Sequence, residues 1–195
     1  MKTVLTYTER MMNKDSSHDF QVLARMEKNY EEKDARYFNE VLRNEPTLVV
    51  RVHAVTVLSE IGDESSVPVL TDVMKNDPSS LIRHEAAFSL GQMGLKSAVP
   101  YLCDAALQDS SEIVRHESAA ALGAIGDERA RGTLMKATGD PSEEVRGSAL
   151  ASLFNLDFLA YLEKHPLVSI VDESEETERK ERIAKRAKGR KMPHP

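Results

Sequence analysis

The sequence predicts an all-α fold, a right-handed α-solenoid of about four to five helix pairs. Three observations carry this reading: one segment recurs four times at near-constant spacing, apolar residues recur at helical intervals inside each copy, and the composition suits helix packing on helix. The copies are VVRVHAVTVLSEIGD from Val49, LIRHEAAFSLGQMGL from Leu81, IVRHESAAALGAIGD from Ile113 and EVRGSALASLFNLD from Glu144. Their arginines, Arg51, Arg83, Arg115 and Arg146, are 32, 32 and 31 residues apart, the length that two helices of about ten to twelve residues and their turns occupy. Trp is absent and aromatics are only 5% of the chain, whereas Ala, Leu, Val and the long charged side chains dominate, as in helix-on-helix domains.

Within each copy the columns define a first helix. Leu58, Leu90 and Leu122 correspond, then Ile61, Met93 and Ile125, then Gly62, Gly94 and Gly126, which read as a buried stripe ended by a C-terminal glycine. A second helix follows over Val67 to Met74, Val99 to Leu107 and Ala130 to Ala137, with Leu70, Leu102 and Leu134 in a common column. Asp77-Pro78, Asp109-Ser110 and Asp140-Pro141 punctuate the next turn. The four arginines are expected to pair with these turn aspartates as a structural ladder. Between His18 and Arg43 a degenerate repeat, with Val22, Met26 and Tyr37-Phe38 near the expected columns, caps the stack. At the other end Phe158 to Leu162 reads as a short closing helix before His165-Pro166. The expected organisation is an N-terminal segment 1–17, a repeat domain 18–165 and a charged tail 166–195.

Charge and cysteine usage narrow the setting. The chain carries a net charge of −6, and because its last 24 residues hold eight Lys/Arg against six Asp/Glu, the body before them is more acidic still. An acidic body is a poor match for nucleic acid, whose phosphates need a basic face, so such binding is expected only through the basic end of the tail. That tail lacks an apolar face and reads as a solvated segment or a contact for an acidic partner or RNA. The single cysteine, Cys103, permits no intramolecular disulfide and reads as a small buried residue on a second helix. The first thirteen residues carry no apolar core of signal-peptide length, Glu9 argues against a transit peptide, and no run approaches a membrane span, so the expected location is cytoplasmic.

Two neighbouring repeats carry the chemistry. His84-Glu85 and His116-Glu117 occupy one register in the first turn of the first helix, where the flanking repeats have Val52-His53 and Gly147-Ser148. Stacked helices lie roughly 8–10 Å apart, so imidazoles from both reach a point where they can share one metal. Each Glu follows its His by one residue and is turned by about 100°, which directs it toward a second metal or a partner. Histidine with carboxylate suits iron, manganese or zinc, and open positions suit oxygen chemistry at iron.

RHEAAFSLGQMGLKSAVPYL, followed by RHESAAALGAIGD, resembles deoxyhypusine hydroxylase, a HEAT-repeat di-iron enzyme, and most of all its N-terminal half. The likeness rests on His84-Glu85 with Leu90 to Met93 and on His116-Glu117 with Ala121 to Gly126. It covers roughly residues 45 to 160 and elsewhere fades into the HEAT consensus shared with phycobilin lyase-like proteins. The resemblance implies a non-haem monooxygenase that hydroxylates a lysine-derived side chain of a protein substrate, with two Fe per assembled site. His84 and His116 would then be ligands to one iron, with Glu85 and Glu117 reaching the other or positioning substrate. That family has four His-Glu motifs and this chain has two, so the implied site is completed by a homodimer or by a separate complementary chain. A HEAT scaffold that binds a protein partner without catalysis is the alternative.

Overall fold

The computed structural model describes residues 14–165. Among these residues the architecture is an all-α solenoid of helix pairs with no strand. The pairs are α1 Lys14–Glu31 with α2 Ala35–Asn44, α3 Leu48–Ile61 with α4 Val67–Asn76, α5 Ser80–Met93 with α6 Val99–Gln108, and α7 Glu112–Ile125 with α8 Arg131–Ala137. A last helix, α9, spans Glu143–Lys164, and 3-10 turns at Lys96–Ala98 and Glu128–Ala130 lead into α6 and α8. The chain divides into two compact units, Met1–Leu156 and Asp157–Pro195, and all the helix pairs belong to the first. The expected charged tail 166–195 and most of the expected segment 1–17 lie outside the described residues.

The recurrent columns are the core. Leu58, Leu90 and Leu122 of the first helices and Leu70, Leu102 and Leu134 of the second are fully buried, as is the column Val50, Ile82, Val114 and Val145 beside the arginines. Each such side chain stabilises the stack by roughly 1.5–3 kcal/mol relative to exposure. Ile61, Met93 and Ile125 are only partly buried and pack on the edge of this core. In the degenerate first pair Val22, Met26 and Phe38 are buried, so loss of the consensus there leaves the apolar face intact.

Termination follows local chemistry. Gly94 and Gly126 end α5 and α7 with φ of 66° and 69°, the left-handed conformation that glycine adopts without steric cost. Gly62 also ends its helix as expected, but in an extended conformation, and the turn after it is closed by Asp63, whose carboxylate accepts from the Ser65 amide at 2.8 Å. Pro68 and Pro100 stand in the first turns of α4 and α6, where no amide hydrogen bond is lost. The expected separate helix over Phe158 to Leu162 is not separate. Asp157 stands where Gly126 stands one repeat earlier, no left-handed stop forms, and α9 runs through to Lys164.

The arginine ladder joins one turn to the next. Arg83 donates from Nε and Nη2 to the two carboxylate oxygens of Asp109, each at 2.8 Å, and from Nη1 back to the Asp77 carbonyl at 2.9 Å. Arg115 repeats this with Asp140 at 2.8 and 3.0 Å and with the Asp109 carbonyl at 2.9 Å. Arg51 pairs with the Asp77 carboxylate, while Arg146 has carbonyls alone, of Asp140 and Pro141. Each aspartate also accepts from the amide two residues on, Ser79, Ser111 or Ser142, at 2.8 Å, which closes the turn that leads into the next first helix.

First helices approach closely through small residues. A Cβ on Gly91 would lie 2.7 Å from the Ala121 Cβ, and one on Gly123 would lie 2.9 Å from the Ser152 Cα. Ser152 Oγ donates to the Ala119 carbonyl and Asn155 Nδ2 to the Gly123 carbonyl, both at 2.8 Å, and Ser89 Oγ makes the matching bond to Val55 at 2.9 Å. Gly123→Ala should therefore destabilise the fold by about 1–3 kcal/mol, because backbone as well as side chain must shift. Gly147→Ala, with nothing within 4 Å of the added carbon, should leave stability unchanged or raise it by about 0.5–1 kcal/mol. Denaturant midpoints of the two variants decide this, and equal losses would refute the close-approach account.

The ladder also sets a pH dependence. Hydrogen bonds from Arg115, helped by the Ser142 amide, hold the Asp140 carboxyl below its ordinary value against the opposing effect of burial. At Asp109 burial is the largest influence and pushes upward, but the Arg83 and Ser111 hydrogen bonds together with Arg83 and Arg115 charge outweigh it, so this carboxyl is lowered too. A folded-state value below the unfolded one contributes stability that is complete above the unfolded value of about 3.9 and disappears as pH falls through the folded one. Denaturant midpoints should fall steadily from about pH 5 downward. Arg115→Gln should lower stability at neutral pH and flatten part of that acid slope; an unchanged slope would show that Asp140 is not its source.

Candidate metal-ligating face

The His-Glu pairs lie in the second turns of α5 and α7, one turn later than expected because the helices begin at Ser80 and Glu112, on the face of the first helices that the core leaves uncovered. His84, Glu85, His116 and Glu117 are all partly exposed, which polar and titratable groups need in order to meet a ligand. The helix stacking sets which of them meet. One repeat carries each side chain to the next helix, so the His column of one repeat faces the Glu column of the following one.

His84 Nε2 is 3.3 Å from Glu117 Oε2. Its Nδ1 is 3.4 Å from Glu85 Oε1, closer than the rotation between adjacent helix residues leads one to expect, but that approach is not aligned as a hydrogen bond. Nδ1 is buried and has no hydrogen-bond partner. A carboxylate only accepts, so with Nε2–H directed at Glu117 the Nδ1 lone pair and a carboxylate oxygen face each other, an arrangement that a cation relieves.

His116 is held differently. Its Nδ1 is 3.2 Å from the Glu144 carbonyl and 2.9 Å from Ser148 Oγ, and Ser148 occupies the position that Glu117 occupies toward His84. A carbonyl can only accept, so in the tautomer with its proton on Nδ1 this contact is a hydrogen bond and the Nε2 lone pair is available. This is the orientation that metal-bound histidines commonly have, with the second nitrogen donating to an oxygen. Ser148 and Glu144 were not singled out from the sequence; the signal was there in the constant repeat offset that places Ser148 in the Glu column.

The two pairs meet through His84 and Glu117. Among the described residues no group of three His, Cys, Asp or Glu side chains is placed to hold a metal ion. The two carboxylates beside His84 address opposite ring nitrogens, and His116 turns to Ser148 and a carbonyl. Cys103 is half-buried, and burial pushes its thiol up.

Around the histidines the face is apolar as well as polar. Val49, Leu81 and Ile113, one turn before the His column, expose 63, 46 and 43% of their surface, and Phe88 flanks His84 on the other side. These side chains make the face fit for a partner with both apolar and cationic or polar groups.

The model of HEAT repeats matches residues 37–122, 72–154 and 102–185. The chain belongs to the HEAT-repeat family. The structure of human deoxyhypusine hydroxylase in complex with glycerol is similar at 32% identity with a TM-score of 0.60, over 66% of this chain and 45% of that one. The repeats described here are thus homologous in fold to that hydroxylase, of which this chain spans less than half the length. Curated protein sequences give no match. Among the described residues no helix is long and apolar enough to cross a membrane.

Because the His84 and Glu117 side chains are partly exposed, at 27 and 15%, their direct contact should contribute little by itself. A double-mutant cycle of His84→Ala and Glu117→Ala, read by denaturation in chelator, should give a coupling below about 1 kcal/mol. A larger value would mean that the pair is a structural element rather than a site.

Proposed function

We propose that the chain is one half of a deoxyhypusine hydroxylase-like non-haem di-iron monooxygenase, with its centre completed by a second copy. The observation that carries this is the buried His84 Nδ1, without a hydrogen-bond partner and beside the Glu85 carboxylate. The likeness to human deoxyhypusine hydroxylase over 45% of that enzyme supports it. The donor chemistry fits iron: two imidazoles and two carboxylates per chain, with no thiolate on this face. The number of ligands gathered in one chain does not suffice, which is why two copies are required.

His84 and His116 would bind through nitrogen, with the Glu144 carbonyl fixing the tautomer of His116. Glu85 and Glu117 would hold the second ion or orient the substrate. Bound iron would supply oxidation by dioxygen, and the class of substrate would be a lysine-derived side chain of a protein. The apolar column Val49, Leu81 and Ile113 would take the aliphatic part of such a side chain, and the two glutamates its amine.

The same exposed apolar column favours a second reading, a HEAT scaffold that binds a protein without catalysis. Elemental analysis separates the two. Iron near one atom per chain, lost in a His84→Ala, His116→Ala variant with unchanged helicity, is the expected outcome, and metal-free protein after expression and iron loading would leave only the scaffold. Added iron should also raise the melting temperature of wild type by mass action and have little effect on Glu85→Gln with Glu117→Gln.

A further inference from the structure

The layer of second helices carries a repeated polar pattern on its exposed side. At the 32-residue spacing of the repeats, Glu40, Asp72 and Asp104 share one column, and Asn44, Asn76 and Gln108 share another, one turn later. All six are exposed. Each of α2, α4 and α6 thus presents a carboxylate followed, four residues on, by a carboxamide. In α4 Asn76 Nδ2 donates to Asp72 Oδ1 at 2.7 Å, an arrangement that leaves the carboxamide oxygen and its second N–H for a ligand. Glu40 pairs with Arg43 at 2.6 Å, whereas Asp72 and Asp104 have no ion pair among the described residues.

Between α4 and α6 this pattern borders a groove of about 560 Å³, and a second of about 460 Å³ adjoins it between α2 and α4. Pro68, Asp72 and Asn76 line both, so the polar stripe of α4 is the ridge that separates them. The larger groove holds an unsatisfied group. Thr71 lines it and is 8% exposed, and its hydroxyl has no hydrogen-bond partner. Comparison with the next repeat explains this. There Cys103 stands in the place of Thr71 and has a hydrogen bond with Thr133 of α8, but the residue in the place of Thr133 is Tyr101, an exposed phenol that lines the groove. A buried hydroxyl without a partner is costly, and a polar occupant of the groove can supply one.

We propose that this second-helix face binds an extended segment of a partner protein that carries Lys or Arg at every third residue. Stacked helices lie roughly 8–10 Å apart, and a polyproline II segment presents the same side every three residues, or about 9.3 Å. Its residues therefore fall in step with the columns. Each carboxamide offers a donor and an acceptor to the peptide groups of the occupant, Asp72 and Asp104 take its cations, and the Tyr101 ring gives a guanidinium an aromatic face. Charge favours this occupant: of the residues lining the larger groove Lys75 alone is cationic, and Asp109 is already held by Arg83. The carboxylate column changes sign at Lys136, which limits the segment to the helices before α8. This surface lies on the second helices and does not depend on the metal reading of the first.

The test is titration of the full chain with a fluorescein-labelled peptide of three Arg-Pro-Ala repeats, read by anisotropy at low ionic strength. Asp72→Asn with Asp104→Asn should weaken binding by about 10-fold or more, whereas Glu27→Gln with Glu163→Gln, the same change of net charge at other exposed positions, should weaken it by less than about 2-fold. Lys75→Ala should strengthen it. Amide shifts on peptide addition should centre on Thr71, Asn76, Tyr101 and Gln108. Absence of binding, equal losses in the two double variants, or shifts centred on the His-Glu face overturn the proposal.

Discussion

Everything in this fold depends on how one inter-repeat turn is tied to the next. The guanidinium of Arg83 or Arg115 holds a carboxylate of the following turn and a carbonyl of the preceding one, and that carboxylate in turn closes the turn into the next first helix. Three turns are thereby fixed relative to each other by nearly buried, charge-assisted hydrogen bonds. Such bonds are directional, whereas apolar burial is not. The leucine columns supply the driving force for stacking, and the ladder supplies the rotation at which the helices stack.

That rotation has chemical consequences on the opposite face. Because the step from one first helix to the next is constant, a histidine in one repeat meets the residue one position later in the following repeat: Glu117 for His84 and Ser148 for His116. Two copies of the same dipeptide therefore have different surroundings. The first has an imidazole between two carboxylates with a buried nitrogen left over, and the second has an imidazole oriented by a carbonyl. Homology in fold to deoxyhypusine hydroxylase extends over less than half of that enzyme, in keeping with a face that carries ligand types but does not gather three of them.

The close approach of the first helices explains the glycines inside the repeated motif. Gly91 and Gly123 are needed because the next backbone arrives against them, not for any special dihedral angle. In the repeat that starts at Glu144, Phe154 stands where the earlier repeats have this glycine. There α9 continues to Lys164 without a stop.

By itself the sequence determined the all-α repeat architecture, the buried leucine columns, the partnership of arginines with turn aspartates and the face that carries the His-Glu pairs. These follow from spacing, and spacing of about 32 residues converts directly into one helix pair. It left the conformation of Gly62, the continuity of α9 and the partners of each imidazole to the tertiary structure. The reason is physical: whether Nδ1 of His84 meets a partner, or whether Glu85 folds back toward its own neighbour, depends on rotamers and on helix rotation to within an ångström. Sequence periodicity reports which face a residue occupies, but not which atom across the gap it meets.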